Sequence, residues 1–99
     1  MILGRVVGTI VATQKDEKLQ GTKLLVVRHL GMDLSPKDSY LVAVDTVGAG
    51  FGEVVLCVTG SSARFTKFTK DKPVDAAIMA IVDQLEIEGE VRYSKHRGA

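Results

Sequence analysis

Residues 45–64, Asp-Thr-Val-Gly-Ala-Gly-Phe-Gly-Glu-Val-Val-Leu-Cys-Val-Thr-Gly-Ser-Ser-Ala-Arg, crowd together the residue types that chemistry most often uses. Closely spaced glycines can cradle a phosphate, and a serine beside glycine can act as a nucleophile. Spacing decides against both. A dinucleotide fingerprint needs G-x-G-x-x-G opening a helix, whereas Gly48, Gly50 and Gly52 lead into the apolar run Val54 to Val58, which reads as a buried strand. A phosphate-binding P-loop would close on Gly-Lys-Ser/Thr, which is absent here. A nucleophile elbow needs G-x-S-x-G, and Gly60-Ser61-Ser62-Ala63-Arg64 does not supply it.

Other candidate groups carry less. His29 and His96 stand apart from each other and from Cys57, so no paired metal-ligand spacing exists and neither a metal nor a cofactor is expected. Asp75 and Asp83 are eight apart, and no cleft is indicated for a catalytic pair. Lys67, Lys70 and Lys72 are interleaved with Asp71 and read as an exposed loop. Ser61 or Ser62 is expected to cap a short helical turn. Arg64 is either solvated or offers its planar fork of donors to Asp45, a neighbour's carbonyls or a carboxylate.

The elements that must position these residues are mostly strands. The chain has 99 residues, 45% of them apolar but only 5% aromatic, so Val, Ile, Leu and Ala fill the core. That length is one domain, 1–99, burying about 60–70% of its unfolded surface, which favours association of subunits. Lys and Arg number 13 against 12 Asp and Glu, a balance that attracts no polyanion. A single cysteine fits a reducing compartment, and no apolar run reaches the roughly 20 residues that span a bilayer. A soluble cytoplasmic protein is expected, without a signal peptide or a membrane partner.

Residues 2–13 read as a long strand that bends at Gly4 and Gly8, with Leu3, Val7 and Val11 on one face. Loops follow at 14–22 and 31–39, separated by a strand over 23–30 with two apolar faces. Strands are expected at 40–45, from 52 or 53 to 59, and at 90–95. Pro73 suggests a helical turn over 73–78, with a strand from there to about Ile87, although Val74, Ile78, Ile81 and Leu85 also recur at helical spacing. Residues 96–99 are expected to be a mobile tail. The pattern is mainly β: a small closed barrel of five or six strands with short helical segments at about 61–65 and 73–78.

Read together, the segments Gly4-Arg-Val-Val-Gly-Thr-Ile10, Lys23-Leu-Leu-Val-Val27, Asp-Thr-Val-Gly-Ala-Gly-x-Gly-Glu-Val-Val-Leu, Gly-Ser-Ser-Ala-Arg, Lys-Pro-Val-Asp-Ala-Ala-Ile-Met-Ala-Ile-Val-Asp and Tyr93-Ser-Lys95 closely resemble the bacterial microcompartment vertex proteins, the EutN/CcmL family. The resemblance covers nearly the whole chain. It implies an oligonucleotide-binding-like barrel that forms a homopentamer, without catalysis of its own. The pentamer would cap the vertices of a carboxysome- or metabolosome-type shell in the cytoplasm, among hexameric or pseudohexameric shell tiles. By motif, Thr46, Val47, Gly48, Ala49 and Gly50 are assigned to a loop near the ring axis or a subunit contact, and Ser61, Ser62 and Arg64 to a neighbouring contact. The alternatives are a barrel that binds single-stranded nucleic acid, which the balanced charge and scattered aromatics disfavour, and a small serine hydrolase.

Overall fold

The computed structural model describes residues 1–13 and 15–95. Seven strands form, β1 (Ile2–Ile10), β2 (Leu24–Leu30), β3 (Pro36–Asp45), β4 (Val54–Thr59), β5 (Ala76–Ile81), β6 (Gln84–Ile87) and β7 (Glu90–Ser94), with 3-10 turns at Glu17–Leu19 and Gly60–Arg64. The first five close into a barrel in the order β1-β2-β3-β5-β4, and β4 returns to β1 through pairs such as Leu3 with Leu56. All neighbours are antiparallel except β3 and β5, which run parallel over Val44 with Ala77 and Asp45 with Ile78. Strands β6 and β7 form a separate hairpin.

The glycines of β1 serve two purposes. A Cβ at Gly4 would collide with the Val27 side chain and approach the Arg28 carbonyl oxygen to 2.9 Å, so β1 and β2 lie too close there for any side chain. Near Gly8 the register with β2 slips between Val6 and Gly8, the irregularity that lets a barrel strand bend. The expected bend is present, but the strand expected to reach Thr13 ends at Ile10, and Val11 stands 88% exposed.

Both sides of the barrel wall bury apolar side chains, as the two-faced pattern of residues 23–30 requires. Leu25, Val27, Val55, Cys57 and Ile78 fill the barrel. Outside, Val44, Val58, Ala77 and Val74 pack beneath Ala63 of the second 3-10 turn, and Leu3, Leu30 and Val54 pack beneath Tyr93 of the hairpin. Burial pushes the Cys57 thiol up to about 11. It is a core side chain and not a nucleophile.

Three expectations need correction. No helix forms over 73–78. Ala77 and Ile78 pair with Val58 and Cys57, and Val74 and Ile78 belong to different clusters rather than one helical face. Pairing with β4 overrides the local preference of the alanines. The strand expected to reach Ile87 is interrupted: Val82 still donates its N–H to the Val54 carbonyl at 2.8 Å, and the chain then leaves the barrel for the hairpin. Residues 36–39, expected in a loop, open β3, with Pro36 as its first residue, the strand position where a missing N–H is tolerated. The 3-10 turn Gly60–Arg64 matches the segment expected at 61–65. The tail expectation for 96–99 lies outside the described residues.

Candidate functional site

The loop from Asp45 to Glu53 is held by its own carboxylates. Asp45 Oδ1 accepts the backbone N–H groups of Val47 at 3.0 Å and Ala49 at 3.2 Å, which folds the first half back on the strand that delivers it. Glu53 Oε1 accepts the Gly50 N–H at 2.6 Å, and its Oε2 is 2.6 Å from Lys95 Nζ. Those two partners hold the Glu53 carboxyl below the ordinary carboxylate range, the Lys95 contact first, and the same contact raises Lys95.

Thr46 donates its hydroxyl to the Ile78 carbonyl at 2.6 Å, and Ala49 is buried with the barrel core. Arg5 Nη1 donates to the Gly52 carbonyl at 2.8 Å, while Gly52 N–H reaches the Val6 carbonyl at 2.8 Å. Only two of the loop's glycines, Gly48 at φ +74° and Gly52 at φ +86°, occupy the left-handed region that other residues resist. The result is a rigid turn that displays Val47 and Phe51, the latter 81% exposed. Nothing in it is arranged to receive a phosphate or to activate a nucleophile.

Ser61, Ser62 and Arg64 lie elsewhere. The glycine loop precedes β4 and the serine turn follows it, so a six-residue strand of roughly 20 Å separates them. The expected serine cap is absent: the residue at the N-cap is Thr59, with no side-chain cap bond, and both serines are exposed within the turn. Nor does Arg64 meet Asp45, whose Oδ1 accepts the loop's amides. Among the described residues the Arg64 side chain makes no hydrogen bond or ion pair, and it borders an open groove of about 770 Å³ with Lys18, Lys70, Asp71 and Lys72.

Sequence reasoning missed the loop's clamps, Arg5, Glu53 and Lys95. Their signal was faint: Glu53 lies three residues after Gly50, but Arg5 comes from β1 and Lys95 follows β7, both far away in the chain. It also missed how much apolar surface stays open. Tyr40 and Val42 project from the outer face of β3 at 56% and 45% exposure, with the Arg28 guanidinium 5.3 Å from the Tyr40 ring centre. All three phenylalanines of the chain, Phe51, Phe65 and Phe68, are exposed. Such surface on a small barrel marks interaction sites.

Comparison with known proteins gives this surface a context. Residues 1–83 match the family model described as "Ethanolamine utilisation protein EutN/carboxysome". The chain is 52% identical over 86 residues to the bacterial microcompartment shell vertex protein GrpN of Rhodospirillum rubrum, covering 87% of this chain and 97% of that protein. It is 46% identical over 95 residues to the carboxysome shell vertex protein CcmL of Thermosynechococcus vestitus, covering 96% of each. Its fold superimposes on Gloeobacter violaceus CcmL with a TM-score of 0.93 at 38% identity, covering 97% of this chain and 99% of the other. The solved GrpN structure, described as a pentameric microcompartment shell protein, superimposes with a TM-score of 0.78, covering 88% of this chain and 98% of the other. With most of its length matched in both sequence and fold, the chain belongs to the EutN/CcmL family.

Proposed function

We propose that this chain is a structural subunit of a bacterial microcompartment shell in the cytoplasm, five copies of which close into a ring that caps a shell vertex among hexameric tiles. The observation that carries the reading is the conjunction of family membership with an uncovered apolar surface. GrpN, at 52% identity, is a pentameric shell protein, and all three phenylalanines of this chain are left open by the single subunit. The role needs no reaction. The glycine loop and the serine turn are built as rigid display surfaces, and the relatives are named as shell vertex proteins.

A cyclic ring requires each subunit to present two different faces to its neighbours. Thr46, Val47, Gly48, Ala49 and Gly50 belong to one end of β4, and Ser61, Ser62 and Arg64 to the other. We assign them to those opposite faces. The nucleic-acid alternative is not favoured by the relatives, whose names place them in shells.

Co-expression with hexameric shell tiles from the same genome tests the role. Closed polyhedral particles are expected when this chain is present, and open sheets or tubes when it is omitted. Identical particles in both cases would contradict it.

A further inference from the structure

The chain is nearly neutral, but its exposed charge is separated. Residues 64–72 carry Arg64, Lys67, Lys70 and Lys72 against Asp71, a net of +3 in nine residues. Residues 82–94, which contain the β6–β7 hairpin, carry Asp83, Glu86, Glu88 and Glu90 against Arg92, a net of −3. The four acidic side chains are exposed, as are Arg64, Lys67 and Lys70. The two segments attach at opposite ends of the barrel. The basic loop joins the end of β4 to the start of β5, and the hairpin follows the end of β5 and packs on Val54, where β4 begins.

The basic loop is built to hold its shape. Thr69 is completely buried, its hydroxyl donates to the Ala63 carbonyl at 2.5 Å, and the Thr66 hydroxyl lies 2.6 Å from it. The Thr69 N–H also bonds the Thr66 hydroxyl at 3.0 Å. Around this anchor the loop holds Phe65 at 84% and Phe68 at 61% exposure, beside lysines that make no ion pair among the described residues. A rigid loop that displays apolar rings and unpaired cations has already met the ordering cost of binding. The hairpin is its counterpart. A two-stranded hairpin is marginal alone, and this one rests on the barrel through Tyr93 and Leu85 while leaving its acidic side and Val91 open.

We propose that the basic loop of one copy docks on the acidic β6–β7 hairpin of the next, with Phe65 and Phe68 against Val91 and the lysines facing Glu86, which shares that face of the hairpin, and Glu88 at its turn. The inference rests on the pentameric reading and specifies its polarity. Opposite charges at opposite ends of one subunit make a head-to-tail contact, the kind that closes a ring, and set like charge against like in any head-to-head pairing.

Charge reversal tests it, with the oligomer followed by analytical ultracentrifugation across a dilution series. Lys67→Glu/Lys70→Glu and Glu86→Lys/Glu88→Lys should each raise the concentration at half-dissociation about tenfold or more. The chain carrying all four substitutions restores opposite charges at every contact, and it should return to within about threefold of the starting value. All four sites are exposed, and circular dichroism checks that each variant retains the barrel. Unchanged dissociation in both double variants, or no rescue in the fourfold variant, overturns the contact while leaving the ring standing. A parent chain that is monomeric overturns the ring itself. A single-stranded DNA oligonucleotide that binds the parent and is lost on Lys67→Glu/Lys70→Glu, with dissociation unchanged, would assign the loop to nucleic acid instead.

Discussion

Asp45 and Glu53 stand at the two ends of one loop, and each accepts backbone N–H groups of that loop, so the acidic residues act as internal braces. Glycine is needed between them at particular places. Gly48 has φ +74°, and beyond its two chain neighbours no atom lies within 4 Å of where its Cβ would be, so a side chain there meets backbone strain alone. Gly48→Val should therefore lower stability by about 1–2 kcal/mol in urea unfolding, the cost of left-handed backbone in a substituted residue. Gly50 lies outside that region, and Gly50→Ala, whose Cβ would sit 3.4 Å from Glu53 Oε1, should cost less. Equal losses would remove the backbone argument. Protonation gives a second check. The folded pKa of Glu53 is held below the 4.5 of a free glutamate, so its contribution is complete above that value and is lost as pH falls through the folded pKa. Lys95 is raised above 10.5, so its share is complete below that pH and is lost as pH rises through the folded value. Glu53→Gln should flatten the acid limb of the stability curve, and an unchanged limb would place the acid sensitivity elsewhere.

At the scale of the element, β5 shows what alternation along a strand means. Ile78 is fully buried inside the barrel while the adjacent Met79 is 38% exposed. Ile78→Ala should cost about 2–5 kcal/mol, and Met79→Ala within about 1 kcal/mol, in the thermal or urea unfolding of the isolated subunit. A comparable loss at both would contradict the strand. The same segment marks where the sequence stopped being legible. Pro73 followed by alanines is locally a helix start, and only the pairing of Ala77 with Val58, nineteen residues earlier, makes it a strand. Strands whose signal was local, such as Val54–Thr59, were readable, as was the short turn after it. So were the two apolar faces of β2, which turned out to serve cores on both sides of the wall. The candidate site was named from the sequence as two segments, without their geometry. The motif marked Thr46 to Gly50 and Ser61 to Arg64, yet nothing in the linear order shows that β4 holds them apart or that Arg5 and Lys95 clamp the glycine loop.

Taken whole, the subunit measures 45 × 24 × 23 Å and leaves apolar rings uncovered at more than one place. A lone chain of this size has limited buried surface, and the proposed association would cover what the barrel cannot. The proposed ring takes the glycine loop and the serine turn, at opposite ends of one strand, as its two unlike faces, and the family to which the chain belongs includes a pentameric shell protein. The solution mass of the purified chain tests this most directly. At micromolar concentration the account predicts a single species at five times the 10.6 kDa chain mass, and a monomer or dimer there would contradict it.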